Sequence, residues 1–213
     1  MSVRPIIHQR PKDPHMRLLA LAATLASLAL PAWAEIPVNQ ISGYLNSFTT
    51  AKSAFTQING DGSISTGDLS IRRPGRARFD YDAPNKGLVI AGGGQVAIFD
   101  PVSNTPPEQY PLSQTPLSLI LADNVNFGRS GMVVAHGGDS TQTAVTLQDP
   151  ANPEYGNIQL IFTPNPVTLR QWVITDDAGS QTTVILGDMQ TGVSLGSSLF
   201  NIPLEMQRRG LSN

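Results

Sequence analysis

GDLSIRRPGRARFDYDAP, Gly67 to Pro84, packs four arginines into the seven residues from Arg72 to Arg78, in a chain of which only 14% is charged. On either side of the turn dipeptide Pro74-Gly75, apolar and polar residues alternate with a period of two. Leu69 and Ile71 precede it, and Ala77, Phe79 and Tyr81 follow. That spacing predicts two strands joined by a sharp bend. In the second strand Arg76, Arg78, Asp80 and Asp82 share the face turned away from the aromatics, and their charges cancel. The expectation is a solvated face with weak ion pairs. A nucleic-acid patch would need its base-stacking aromatics beside the cations, and here they point away. Arg73 sits at the corner, outside the alternating row. Its planar fork of five donors suits the open carbonyls at a helix end.

The same alternation recurs outward along the chain, in SAFTQI, GLVIAG, QVAIFD, GMVVAHG, TAVTLQD, IQLIFT, VTLRQWVITD and QTTVIL. Turn chemistry separates these runs, among it NGDG, APNKG, GGG, DPANPEYG and DDAG. About ten strands with short connections argue for a mainly β, antiparallel meander. A single sheet of that width must curl, close or split. Closed into a narrow barrel it would be filled by side chains, and left open it would need a cover. Two helical covers are expected. One carries Ile41, Leu45 and Phe48 on a single stripe; the other is TPLSLILAD, with Thr115 as cap, Pro116 in the first turn, and Leu117, Ile120 and Leu121 on one face.

The N-terminus reads as a targeting segment. From Met16 the chain has one arginine, an apolar run of about thirteen residues, and Ala32-Trp33-Ala34, a signal-peptidase pattern. Cleavage after Ala34 is expected, with residues 1–15 as an upstream extension, so that translation starts at Met1 or Met16. The run is too short to span about 30 Å of hydrocarbon. Without the leader, residues 35–213 hold ten basic and fifteen acidic side chains, a balance that does not draw nucleic acid or an anionic membrane. With no cysteine, disulfides, thiol chemistry and an acylated N-terminal cysteine are excluded. His136 alone of three histidines lies beyond the leader, so a histidine-rich metal site is excluded too.

Three further signals have bland readings. Asn59, Asp61, Gly62, Ile64 and Asp68 fit part of a calcium-loop template, but Gln57 takes the first place and strands flank the loop. Hairpin turns at Asn59-Gly60 and Asp61-Gly62, with positive φ, are expected instead. Gly92 to Gly94 lack a phosphate-binding lysine and read as a tight hairpin. A secreted esterase working through His136 is an alternative without a G-x-S-x-G elbow to support it. No catalytic residue, metal or cofactor is expected.

The run from Gly67 to Pro84 resembles the signature of the LolA family of periplasmic lipoprotein carriers. Similar matches follow in chain order: Phe55 and Gln57 in SAFTQI, Asp100-Pro101 after GLVIAGGGQVAIF, TPLSLIL, the run IQLIFTPNPVTLRQWVITDDAGSQTTVIL, and LFNIP near the end. The resemblance implies an unclosed half barrel of about eleven antiparallel strands with a small helical lid over a hydrophobic cavity. It implies a non-enzymatic, monomeric periplasmic chaperone. Such a carrier takes acylated lipoproteins from an inner-membrane ABC transporter and yields them to an outer-membrane receptor or the membrane itself. Arg73 matches the family arginine that holds the lid. Leu69, Ile71, Ala77, Phe79, Tyr81, Ile90, Ile98, Leu160, Phe162, Trp172 and Ile174, with Leu117, Ile120 and Leu121 from the lid, are the expected cavity residues. A paralogue that binds another lipid or senses envelope stress through the same fold is the alternative.

Overall fold

The computed structural model describes residues 35–129 and 131–211. The expected leader and its cleavage site lie outside them. Helix α1 (Val38–Asn46) leads into β1 (Thr50–Ile58), β2 (Ile64–Arg72), β3 (Ala77–Tyr81), β4 (Leu88–Gly92), β5 (Gln95–Phe99) and β6 (Glu108–Pro111). Short 3-10 turns follow at Leu112–Gln114 and Pro116–Leu119. Then come β7 (Val133–Gly138), β8 (Thr143–Gln148), β9 (Asn157–Thr163), β10 (Thr168–Thr175), β11 (Gln181–Leu186), the two-residue β12 (Gln190–Thr191) and helix α2 (Ile202–Arg208).

The strands form one antiparallel sheet in the order β6-β5-β4-β3-β2-β1-β11-β10-β9-β8-β7, with β12 beside β1. Among the described residues β6 and β7 end this path without meeting, so the sheet is unclosed. Its curl is measured by two rings. Phe79 on β3 and Trp172 on β10 lie four strand pairings apart, about 19 Å along a flat sheet. Their ring centroids are nevertheless 6.4 Å apart. Only a strongly coiled sheet brings them together.

Local chemistry sets the register. Gly93 and Gly94 both take positive φ in the two-residue turn between β4 and β5, as their position predicts. In the β1–β2 loop only Gly62 does so; Asn59 and Asp61 do not. There Asp61 Oδ1 instead accepts from the Ser63 amide and hydroxyl. Gly67 is required by close approach, because a β-carbon would run into the Asp80 carbonyl and the Phe55 ring.

Two apolar clusters lie on opposite faces. The larger fills the concave side, where α1 and the 3-10 segment cover side chains from both halves of the sheet. The smaller comprises Leu88, Ile90, Ala97, Phe99 and Ile202, with α2 laid across the convex side.

Three elements depart from expectation. The second cover is not an α-helix: Thr115 is extended, makes no capping bond, and donates its hydroxyl to the Leu112 carbonyl at 2.8 Å. With Pro111 and Pro116 so close, the chain winds in two tight turns rather than one continuous helix. Strand β6 and helix α2 were not anticipated. β6 is a short edge strand among prolines, whose alternation is too brief to announce it. α2 starts at Asn201, whose Oδ1 accepts from the Leu204 amide at 2.8 Å, with a proline in its first turn.

Candidate functional site

Arg73 leaves β2 at the corner and turns inward, where it is 6% exposed. Nη2 donates to the Phe48 carbonyl just past α1 at 2.9 Å. Nη1 reaches the Ala122 carbonyl just past the 3-10 segment and Asn46 Oδ1, each at 3.4 Å. The guanidinium also lies 5.8 Å from the centroid of the Phe48 ring. One side chain thus grips the ends of both covering segments. The backbone adds two bonds at the same corner, from the Arg73 amide to the Thr49 carbonyl at 2.7 Å and from the Gly75 amide to the Leu121 carbonyl at 2.8 Å.

This grip is not fully satisfied. Arg73 Nε is buried without a partner. Burial pulls the guanidinium below its ordinary pKa, and the charge of Asp123 offsets part of that. A cation held this way is a costly tie.

Beneath the cover, Leu69, Ile71, Ala77, Phe79, Leu117, Ile120, Leu121, Leu160, Phe162 and Trp172 meet in the concave cluster, with Tyr81 and Ile174 packed against it. The rings form a ladder of edge-to-face contacts. Phe55 meets Tyr81 at 5.2 Å and Phe79 at 5.5 Å, and Phe79 meets Trp172. Tyr81 closes the ladder with a 2.7 Å hydrogen bond from its hydroxyl to Gln57 Oε1, and burial raises its phenol pKa despite that bond. Under the cover, then, the apolar interior is occupied by side chains. Two concavities flank it. One of about 520 Å³ lies at the end of the sheet away from Arg73, between Gln57, Tyr81, Val89, Ile98 and the loop after Asp100. The other, of about 630 Å³, lies outside α1 against Asn124, Val125 and Asn126.

Ile90 does not belong to the expected set. It packs in the convex cluster under α2, because β4 is apolar on both faces and it is Val89 and Ala91 that turn inward. Ile98 shares the inward face but stands beyond the cover, 38% exposed at the rim of the open concavity.

The expectation of a solvated arginine row is also corrected. Arg78 chelates Asp80 at 2.7–3.0 Å and donates to the Leu199 carbonyl at 3.2 Å. It also reaches Glu205 at 3.5 Å. Arg72 donates to the Leu195 carbonyl at 2.8 Å. These cations hold the C-terminal segment on the convex face, which no local pattern near Arg78 could reveal. His136 Nε2 sits 3.0 Å from the Ile36 carbonyl and Nδ1 3.3 Å from Glu35 Oε1. A hydrolytic triad needs a serine hydroxyl at one of these nitrogens; a carbonyl and a carboxylate hold both instead.

Sequence reasoning missed Ser42 and Asn46. Both lie on the face of α1 that meets residues 124–127: the Phe127 amide donates to Ser42 Oγ at 3.2 Å, and Asn46 bonds both backbone groups of Val125. Their spacing of four was the available signal.

With the unclosed sheet, the two-part cover and the buried corner arginine in place, comparison with known proteins is decisive. Residues 46–203 match the family described as outer membrane lipoprotein carrier protein LolA. The chain belongs to the LolA family. Among LolA relatives, the outer-membrane lipoprotein carrier protein of Pseudomonas aeruginosa is 28% identical over 191 residues, covering 85% of this chain and 88% of its own. That of Azotobacter vinelandii is 23% identical over 194 residues, covering 87% and 92%. Among solved structures, a LolA superfamily protein from Nitrosomonas europaea aligns with a TM-score of 0.43 at 11% identity, over 78% of this chain and 98% of that one. No helix among the described residues is long and apolar enough to cross a membrane.

Proposed function

We infer that this LolA family member is a soluble periplasmic carrier that takes acylated lipoproteins from an inner-membrane ABC transporter. It releases them to an outer-membrane receptor or to the membrane itself. Acyl chains cannot cross water unshielded. At about 0.8 kcal/mol per methylene, three chains of about fifteen carbons represent on the order of 35 kcal/mol of gross transfer cost. The concave cluster is the surface that would take them, once its cover lifts and its side chains part.

The observation that carries this reading is the clamp of Arg73 on both parts of the cover. Bonds made only in the empty, closed state compete with cargo and lower its net affinity, so that passage to a tighter acceptor runs downhill. Loading against the clamp then requires work, which an ATP-driven transporter supplies.

The test is capture of a purified triacylated lipoprotein by the immobilised protein, compared with the same polypeptide lacking its acyl chains. Retention of the acylated form alone is expected. Equal retention of both, or of neither, rejects the reading. Lipid of another class copurifying with the protein would favour a paralogue with different cargo.

A further inference from the structure

Asn46, the last residue of α1, treats Val125 as a strand would. Its Nδ2 donates to the Val125 carbonyl at 2.8 Å, and its Oδ1 accepts from the Val125 amide at 2.9 Å. The same Nδ2 reaches Asn124 Oδ1 at 3.2 Å, and the same Oδ1 receives Arg73 Nη1 at 3.4 Å. One turn earlier Ser42, itself buried, accepts from the Phe127 amide. Residues four apart share a helix face, so these two side chains staple one side of α1 to an otherwise irregular segment. That segment has no regular secondary structure of its own over 123–127, yet Val125 and Phe127 are fully buried in the concave cluster. Its position comes from the staple and from those two apolar anchors.

We propose that Asn46 is the positioning residue that joins α1 to residues 122–127, so that the two parts of the cover lift together as one flap when Arg73 lets go. This deepens the carrier reading and rests on it for its purpose, though not for its geometry. Arg73 touches both parts, but only at their ends, through Phe48, Ala122 and Asn46 itself. The bidentate amide is what makes release of one part release of the other. Without it, the single bond between Ser42 and the Phe127 amide would be left to join them, and α1 could swing while Val125 and Phe127 stayed seated, leaving the interior half covered.

Native-state hydrogen exchange on the lipid-free protein tests this. The readouts are the amides of Leu45, inside α1, and of Gly75 at the corner, which is held by the Leu121 carbonyl of the other part and by nothing on α1. In the wild type both are expected to exchange with one opening equilibrium, and Arg73→Leu should raise both rates by the same factor. In Asn46→Ala the two should separate, by about tenfold for the two hydrogen bonds lost to Val125. Asn46→Asp keeps the acceptor and loses the donor; it should separate them less, and it serves should the alanine variant not fold. Unequal rates in the wild type, or rates still matched in both variants, overturn the proposal. Because no cargo is present, failure here leaves the carrier reading to the capture experiment, and failure of that experiment leaves the coupled flap standing.

Discussion

The ring of Phe79 meets that of Trp172 edge to face, 6.4 Å between centroids and at 89°, across a sheet in which β2, β1 and β11 separate their strands. This contact ties the two halves of the curl through side chains alone. Trp172 is 1% exposed and is the largest of the fully buried side chains. Trp172→Ala should therefore cost about 3–5 kcal/mol, and Trp172→Phe clearly less. Urea unfolding measures both. A loss below about 1 kcal/mol for the alanine variant would mean that the curl does not depend on this contact.

Arg73→Leu removes the donors to Phe48 and Ala122 while filling much of the same apolar volume. For the carriage proposed above, the variant should take up acylated lipoprotein at least as readily as the wild type. It should hand the cargo on about tenfold more slowly, since closure no longer opposes retention. Release from spheroplasts and transfer to outer-membrane vesicles measure the two steps separately. Wild-type rates in both would remove Arg73 from control of the cover.

Glu205 on α2 predicts a pH dependence. Burial alone would push its carboxyl up, but the bond from Arg209 and the charges of Arg78 and Arg209 outweigh burial and hold it below the ordinary carboxylate value. A carboxyl depressed in the folded state contributes stability that is present above its unfolded pKa and lost as pH falls through the folded one. Wild-type stability should therefore drop from about pH 5 downward, and Glu205→Gln should flatten that part of the curve while weakening the protein at neutral pH. Urea midpoints across this range, with and without the substitution, decide it. Parallel curves for the two proteins would show that the carboxylate makes no folded-state contribution.

Much of this architecture is legible in the chain, and the failures have physical causes. Period-two alternation finds β2 and β3 because one of their faces is strongly apolar and the other carries charge. It is blind at β4, where Leu88 and Ile90 face α2 while Val89 and Ala91 face the interior, because a strand buried on both sides has no polar face to orient it. Arg73 stands out because it breaks the alternating row. Arg78 does not, because its partners Leu199 and Glu205 lie more than a hundred residues away. The helix α2 was signalled by Asn201, Pro203 and Glu205, a cap, a first-turn proline and an early acid, though in too short a run to stand out. The staple between Asn46 and Val125 depends on two segments about eighty residues apart meeting at one corner, which no local pattern encodes.

The unmet edges of β6 and β7 have a consequence for size. In a sealed cylinder, strand number and stagger fix the girth, and widening it means tearing backbone hydrogen bonds. Here the seam is already parted, so the wall can spread by rolling about its twisted strands with its main-chain ladder intact. For the carriage proposed above, guests of different bulk would then call for adjustment of one gap rather than rupture of the ladder.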